Sequence, residues 1–310
     1  MGVVLAGVAG ACSLTTSLDG LTGGSVQSPD SSTTEDAGGP HADGSVIVPP
    51  EDGGAPDDAA LPSADASDAA SPIDATPFCA SQAAKVVFCD DFDEDGGLAV
   101  PGTWDQVSSD HGVASVSSLE AVSPPGSMQI VTTAGASTYD CAAYRAFTKY
   151  AAKPYLFTFS FEIFVAQVPT TTGSEAVLSA FQLYNAAGVL DDLQLECTYD
   201  SALGALDVNF SENSHLLDGG APYISHVSTA HLPIAQWTQV TLALTLEDPS
   251  ANSSTNSATW TLGTSSTKFE PTLTVSDGTP EILTGITYVT PGDGAWTVYF
   301  DNVTFDATLL

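Results

Sequence analysis

The chain has 310 residues, with 5 Lys and Arg against 38 Asp and Glu, for a formal net charge of −33. So acidic a balance excludes a nucleic-acid partner, because phosphate binding needs a basic face. No run of 18 apolar residues occurs, so nothing in the sequence predicts a membrane-spanning helix. All 26 aromatics fall after residue 77, as do the five bases Lys85, Arg145, Lys149, Lys153 and Lys268. Residues 1–77 hold 12 acids, no base and no aromatic. Such a stretch cannot bury enough apolar area to offset the entropy of ordering it. Residues 78–310 are long enough for one all-β domain.

Taken in chain order, residues 3–11 read VVLAGVAGA, an apolar run closed by small residues. It fits the central segment of a secretory signal peptide and is too short to cross a bilayer. Cys12 follows Ala9-Gly10-Ala11 directly. This junction resembles the lipobox of bacterial lipoproteins, with Ala9 where that family usually has Leu. The resemblance implies that Cys12 is acylated as the first mature residue. It also implies membrane anchoring by more than one acyl chain, on the periplasmic or cell-surface side. Residues 13–77 are rich in Asp, Ala, Gly, Ser, Pro and Thr, with Asp-Ala pairs around Asp65, Asp68 and Asp74. They read as a disordered acidic linker with an r.m.s. reach of about 40–50 Å.

The remainder reads as strands. In residues 155–165 the side chains of Tyr155, Phe157, Phe159, Phe161, Ile163 and Val165 share one face, and Thr158, Ser160 and Glu162 the other. Residues 237–246 alternate in the same way, with Val240, Leu242, Leu244 and Leu246 on one face. Residues 296–305 form a third strand with large residues on both faces. Shorter strands are expected at 84–89, 127–133, 142–148, 176–184, 192–199, 205–211, 258–262, 269–275 and 283–289. Turn chemistry lies between them, as at Ser123-Pro124-Pro125-Gly126 and Asp293-Gly294. About twelve strands, with helical periodicity absent, predict an all-β fold: a two-sheet jelly-roll sandwich behind a disordered N-terminal region.

Three segments carry a resemblance. Val87-Phe88-Cys89-Asp90-Asp91-Phe92, Trp237-Thr238-Gln239-Val240 and Val298-Tyr299-Phe300-Asp301-Asn302-Val303 resemble strands of the concanavalin A-like (laminin G-like, glucanase-type) jelly rolls. The resemblance implies two curved sheets and a concave face that often binds glycans. It also implies a structural calcium between the first-strand region and an Asp of the last strand, here Asp301.

Beyond Cys12 there are four cysteines, Cys79, Cys89, Cys141 and Cys197, which allow three pairings. An even count in an exported domain favours disulfides. Cys79 with Cys89 closes a short loop and leaves Cys141 to pair with Cys197. The string Asp91-Phe92-Asp93-Glu94-Asp95-Gly96 has carboxylates at alternate positions and Gly at the sixth, the first half of a calcium loop. Gly102 replaces the closing Glu, which excludes an EF-hand. Asp91, Asp93, Asp95 and Asp301 are therefore the metal candidates.

Glycoside hydrolysis needs two carboxyl groups across the scissile bond. The glucanase string E-x-D-x-x-E is absent. Asp192, Gln194 and Glu196 share one strand face, and Glu162 is a lone acid on an aromatic strand, so either could line a cleft. Polysaccharide lyases of this fold join Arg, Gln, His and Tyr, but Arg145 is the only Arg and no Q-x-H string occurs. His215, His226 and His231 are expected in exposed loops. Trp104, Tyr139, Tyr184, Tyr199, Tyr223, Trp260 and Trp296 are the aromatics from which a sugar platform could be drawn. The expected function is carbohydrate binding without catalysis by an exported, lipid-anchored protein. The rivals are a glycan hydrolase or lyase with an unrecognised acid pair, and a purely structural surface protein.

Overall fold

The structure, a computed structural model, describes residues 77–93, 97–99, 103–135, 140–150, 154–184, 190–215, 222–247, 255–272 and 278–310. Cys12, residues 13–76, Asp95 and Tyr139 lie outside the described residues. The fold is all-β, two antiparallel sheets packed face to face. A short helix α1 (Phe78–Gln82) leads into β1 (Phe88–Asp90), β2 (Gln106–Val107), β3 (Gly112–Ser117), β4 (Ser127–Thr132) and β5 (Cys141–Ala146). The long strands follow: β6 (Tyr155–Gln167), β7 (Glu175–Tyr184), β8 (Leu190–Asp200), β9 (Ala205–His215), β10 (Tyr223–Pro233) and β11 (Trp237–Leu246). The chain ends with β12 (Ser257–Leu262), β13 (Ser265–Phe269), β14 (Thr279–Val289) and β15 (Thr297–Leu309). One sheet has eight strands, ordered β13-β12-β11-β6-β15-β4-β3 with β1 also paired to β15. The other has seven, ordered β10-β9-β8-β7-β14-β5-β2.

The alternation in β6 and β11 buries the expected faces, and the two strands pair directly, Val240 with Phe161 and Leu242 with Phe159. Across the interior, Phe157 meets Phe181 at 5.5 Å between ring centroids, and Phe210 stacks on Trp260 at 5.2 Å. Both contacts join one sheet to the other. A fully buried Phe of this kind contributes about 1.5–3 kcal/mol through removal from water.

The large residues on both faces of β15 have a specific cause. Val298 and Phe300 are buried in the core, and so are Val303 and Phe305, which are out of phase with them. The pairing to β6 shifts register between Asp301 and Thr304, and Asn302 there has φ 52°. This β-bulge resets the alternation so that both halves of the strand keep their apolar side inward. β7 does the same: a register shift between Val177 and Ser179 leaves Leu178 as the extra residue, with Ala176 inward before it and Phe181 and Leu183 inward after it.

Several expectations are corrected. The segment expected as strand 84–89 pairs only from Phe88, behind α1. The strand expected at 269–275 is β13, which ends at Phe269; Gly263, with φ 56°, turns the chain tightly enough to start it at Ser265. β10 replaces the exposed loop expected around His226 and His231. It is an edge strand, and its polar residues include Ser225, Ser228 and Thr229, so no apolar alternation announced it. Cys79 and Cys89 form a disulfide, but Cys141 and Cys197 are free and buried. Cys141 lies on β5 and Cys197 on β8, three strand spacings apart in the same sheet. At about 4.8 Å per spacing that is about 14 Å, twice what a disulfide can bridge.

Candidate functional site

On the outer face of the seven-stranded sheet lies a cleft of about 760 Å³. Its floor follows from strand period. Leu193, Leu195 and Cys197 of β8 enter the core, so Asp192, Gln194 and Glu196 face outward, and all three line the cleft. Register then builds rows across the strands. Asn213 of β9, Asp192 of β8, Gln182 of β7 and Glu281 of β14 are successive cross-strand partners. The β7 bulge brings Glu175 and Val177 to the same side as Gln182 and Tyr184. Tyr144 of β5, Tyr184 and Tyr288 of β14 stand among the lining residues, together with Asp140 and His215.

Hydrogen bonds fix part of this floor. Gln194 Nε2 donates to Asp192 Oδ2 at 3.1 Å, and Asn213 Nδ2 donates to Gln194 Oε1 at 3.1 Å. His215 Nε2 lies 3.5 Å from Asp192 Oδ2. Glu196 accepts from Ser211 Oγ at 2.8 Å and from Tyr223 OH at 2.7 Å. Tyr144 OH donates to Asp140. Two acceptors are left over: Asp192, 2% exposed, and Gln182, 8% exposed, each keep one buried oxygen (Oδ1 and Oε1) without a hydrogen-bond donor. A buried oxygen in that state costs free energy until something donates to it.

Among the described residues, five carboxylates line the cleft, Asp140, Glu175, Asp192, Glu196 and Glu281, and no Lys or Arg does. Burial pushes Asp192 up to about 6, against the opposing pull of His215 and the Gln194 hydrogen bond. Glu175 is raised by burial and by Glu196, and Glu281 by burial and by Asp105. Tyr184 is raised by burial and then by Glu281, Asp192 and Asp140. Burial and the hydrogen bond to Glu196 push Tyr223 up to about 12. Acceptor-rich and negative, the site suits donors and repels anions.

The other sequence candidates are elsewhere. Glu162 is not in the cleft: it lies on β6 in the other sheet, opposite Gln239 and Asp301. His231 pairs with Asp207 at 2.8 Å on the surface, and only His215 of the three histidines reaches the cleft. Trp104, Trp260 and Trp296 are buried core, and Tyr199 packs against that core. Tyr184 and Tyr223 remain exposed. Of the metal candidates, Asp91 accepts the Cys79 N–H at 2.8 Å and Asp93 the Gly126 N–H at 3.0 Å. Asp301 accepts the N–H groups of Val122 at 2.7 Å and Ser123 at 3.0 Å. Among the described residues no three His, Cys, Asp or Glu side chains come together to hold a metal ion. Gln182, Glu281 and Tyr288 escaped the sequence reading because β7 and β14 are buried on both faces and lack alternation.

No protein-family model and no curated protein matches the chain. Among solved structures it is similar to an endo-β-1,4-glucuronan lyase from the fungus Trichoderma reesei, with 12% identity and a TM-score of 0.52. That alignment covers 72% of this chain and 96% of the lyase. It is also similar to a marine PL-14 alginate lyase from Aplysia kurodai, with 9% identity and a TM-score of 0.51, over 72% of this chain and 99% of that one. At such identities the likeness is one of fold. What is shared with these two lyases is the architecture of two antiparallel sheets packed face to face.

Proposed function

We propose that the cleft on the seven-stranded sheet binds a carbohydrate, on a protein that is exported and anchored through Cys12. One observation carries the reading: Asp192 and Gln182 hold buried oxygens without donors in the middle of a polar row, with Tyr184 and Tyr288 in the same cleft. Sugar hydroxyls supply donors to such oxygens, and the C–H face of a sugar ring packs on a tyrosine. Lyase action on a uronate has less support, because no Lys or Arg is among the described lining residues to neutralise the substrate carboxylate. The apolar leader before Cys12 and the Cys79–Cys89 disulfide both favour an oxidising compartment.

A glycan array probed with the full chain tests the binding. Signal on at least one glycan class is expected, lost in Gln182→Ala and weakened in Tyr184→Ala; no signal on any class overturns the reading. Labelled fatty acid should enter the wild type and not Cys12→Ala, and equal labelling of both overturns the anchor.

A second reading has its own support. Asp192 holds its proton up to about pH 6, and Glu281 stands two strands away across Gln182, about 10 Å between Cα atoms. A proton donor and a second carboxylate facing one chain are what glycoside hydrolysis requires. Release of reducing ends from a bound oligosaccharide, abolished in Asp192→Asn, is the result this reading expects. Intact ligand after prolonged incubation would leave binding alone.

A further inference from the structure

The cleft's donors and acceptors are unequally committed. Three side-chain donors of the lining are engaged internally, Gln194 Nε2, Asn213 Nδ2 and Tyr144 OH, and the neighbouring Tyr223 OH donates to Glu196. Asp192 Oδ1 and Gln182 Oε1 are buried acceptors with nothing donating to them. They belong to direct cross-strand partners, and Glu281 is the partner of Gln182 on its other side. Three adjacent strands thus present acceptors in one row. A hydroxyl brings a single donor and also needs one, whereas an ammonium brings three donors and accepts nothing. Among the described residues five carboxylates line the cleft with no Lys or Arg, and the half-exposed His215 beside Asp192 is the one basic side chain there. Tyr184 and Tyr288 add ring faces that attract a cation.

We infer, building on the carbohydrate reading above, that the ligand is a glycan bearing free amino groups, with an ammonium seated over Gln182 between Asp192 and Glu281. Binding moves no bond. The ammonium fills the two orphaned oxygens and relieves repulsion among the surrounding carboxylates, which a neutral sugar cannot do and a uronate worsens. A donor-only cation thus satisfies the hydrogen-bond deficit and the charge excess together.

The experiment is titration calorimetry of the full chain at physiological salt, slightly below neutral pH. Three ligands of equal length are compared: the β-1,4-glucosamine hexamer, its fully N-acetylated counterpart and cellohexaose. The glucosamine hexamer is expected to bind at least about tenfold more tightly than the other two, the size of one or two charge-assisted hydrogen bonds. Asp192→Asn and Glu281→Gln, both near-isosteric, should each remove about tenfold of that preference while sparing the melting temperature. Equal binding of the N-acetylated hexamer or cellohexaose overturns this inference and leaves the carbohydrate reading standing. Failure of all three overturns this inference, and the carbohydrate reading then stands or falls with the glycan array. Glucosamine-hexamer binding that survives both substitutions, or is matched by hexalysine, is unspecific attraction to an acidic chain and overturns the inference alone.

Discussion

Asp301 and Glu162 are direct cross-strand partners on β15 and β6, two acids side by side on the outer face of the eight-stranded sheet. Burial pushes Asp301 up to about 6 despite the N–H groups of Ser123, Val122 and Asn302 that pull it down. Glu162 is raised by burial and then by Asp301. Together with Asp192, also held near 6, they bind protons more tightly in the fold than in the open chain. A carboxyl that titrates near 6 when folded and near 3.8 when unfolded stabilises the fold fully below 3.8, and that gain is lost as pH rises through 6. For Asp192 or Asp301 it is worth at most about 3 kcal/mol. The melting temperature should therefore rise between about pH 7 and pH 5, against the usual direction of acid denaturation. Asp192→Asn should flatten part of that rise in a pH series of thermal melts, and a melting temperature that falls steadily over this range would contradict it.

Asp301 also holds a loop. Its carboxylate receives the Val122 and Ser123 N–H groups and the Ser123 hydroxyl, 178 residues or more away in sequence. Asp93 receives Gly126 N–H from the same segment. Asp301→Ala leaves those donors without their acceptor, at a cost of about 2–4 kcal/mol. Hydrogen exchange should show the loss concentrated in residues 118–126, with the cleft sheet unaffected. Uniform loss of protection across both sheets would mean that Asp301 holds the bulge rather than the loop.

The long strands were readable because one face is core and the other is polar. β11 matches its expected bounds at both ends, and β6 differs only by two residues at its end. Legibility fails where that contrast fails. β10 pairs on one edge only and fully buries just two of its eleven residues, so Tyr223–Pro233 shows no apolar period. β7 is buried on both faces and bulged in the middle, so Gln182 looked like an interruption of a core strand rather than part of a site. The Asp192-Gln194-Glu196 face was visible as three polar residues two apart. Its partners Asn213 and Glu281 were not, since register between distant strands is fixed by turns and bulges that a single strand's pattern does not record.

The free cysteines make a sharp chemical test. Burial pushes the Cys141 thiol up to about 11, with a further push from Asp140, and drives Cys197 upward still more strongly. Neither offers an accessible thiolate, the form that reacts. In a Cys12→Ser chain, a thiol reagent should find no reactive group in the native protein and two after denaturation without reductant. None after denaturation would restore the Cys141–Cys197 pairing that the sheet order excludes. Replacing Cys79 and Cys89 with Ser should cost about 3 kcal/mol by the loop-entropy estimate.

Two histidines on β10 show how burial sets the worth of a histidine–carboxylate contact. His226 Nε2 lies 2.7 Å from Glu212 Oε1, and His231 Nδ1 lies 2.8 Å from Asp207 Oδ1. The distances agree, but Glu212 is fully buried while Asp207 and His231 are half in water. The His226 ring also stacks on Phe269 of β13 at 3.7 Å, and Glu212 Oε2 accepts the Thr272 N–H at 2.7 Å. β10 and β13 are edge strands of opposite sheets, so this group joins the two layers along one margin. Removing the imidazole deprives a buried carboxylate of a partner, which costs about 3 kcal/mol. Removing His231 takes away a solvent-screened pair worth under about 1 kcal/mol. His226→Ala should therefore lower the melting temperature by roughly 6–12 °C, and His231→Ala by no more than about 2–4 °C. Added salt should erase the smaller effect and leave the larger one. Equal losses in the two variants would mean that the inter-sheet margin is held by apolar contact and that the buried pair adds nothing.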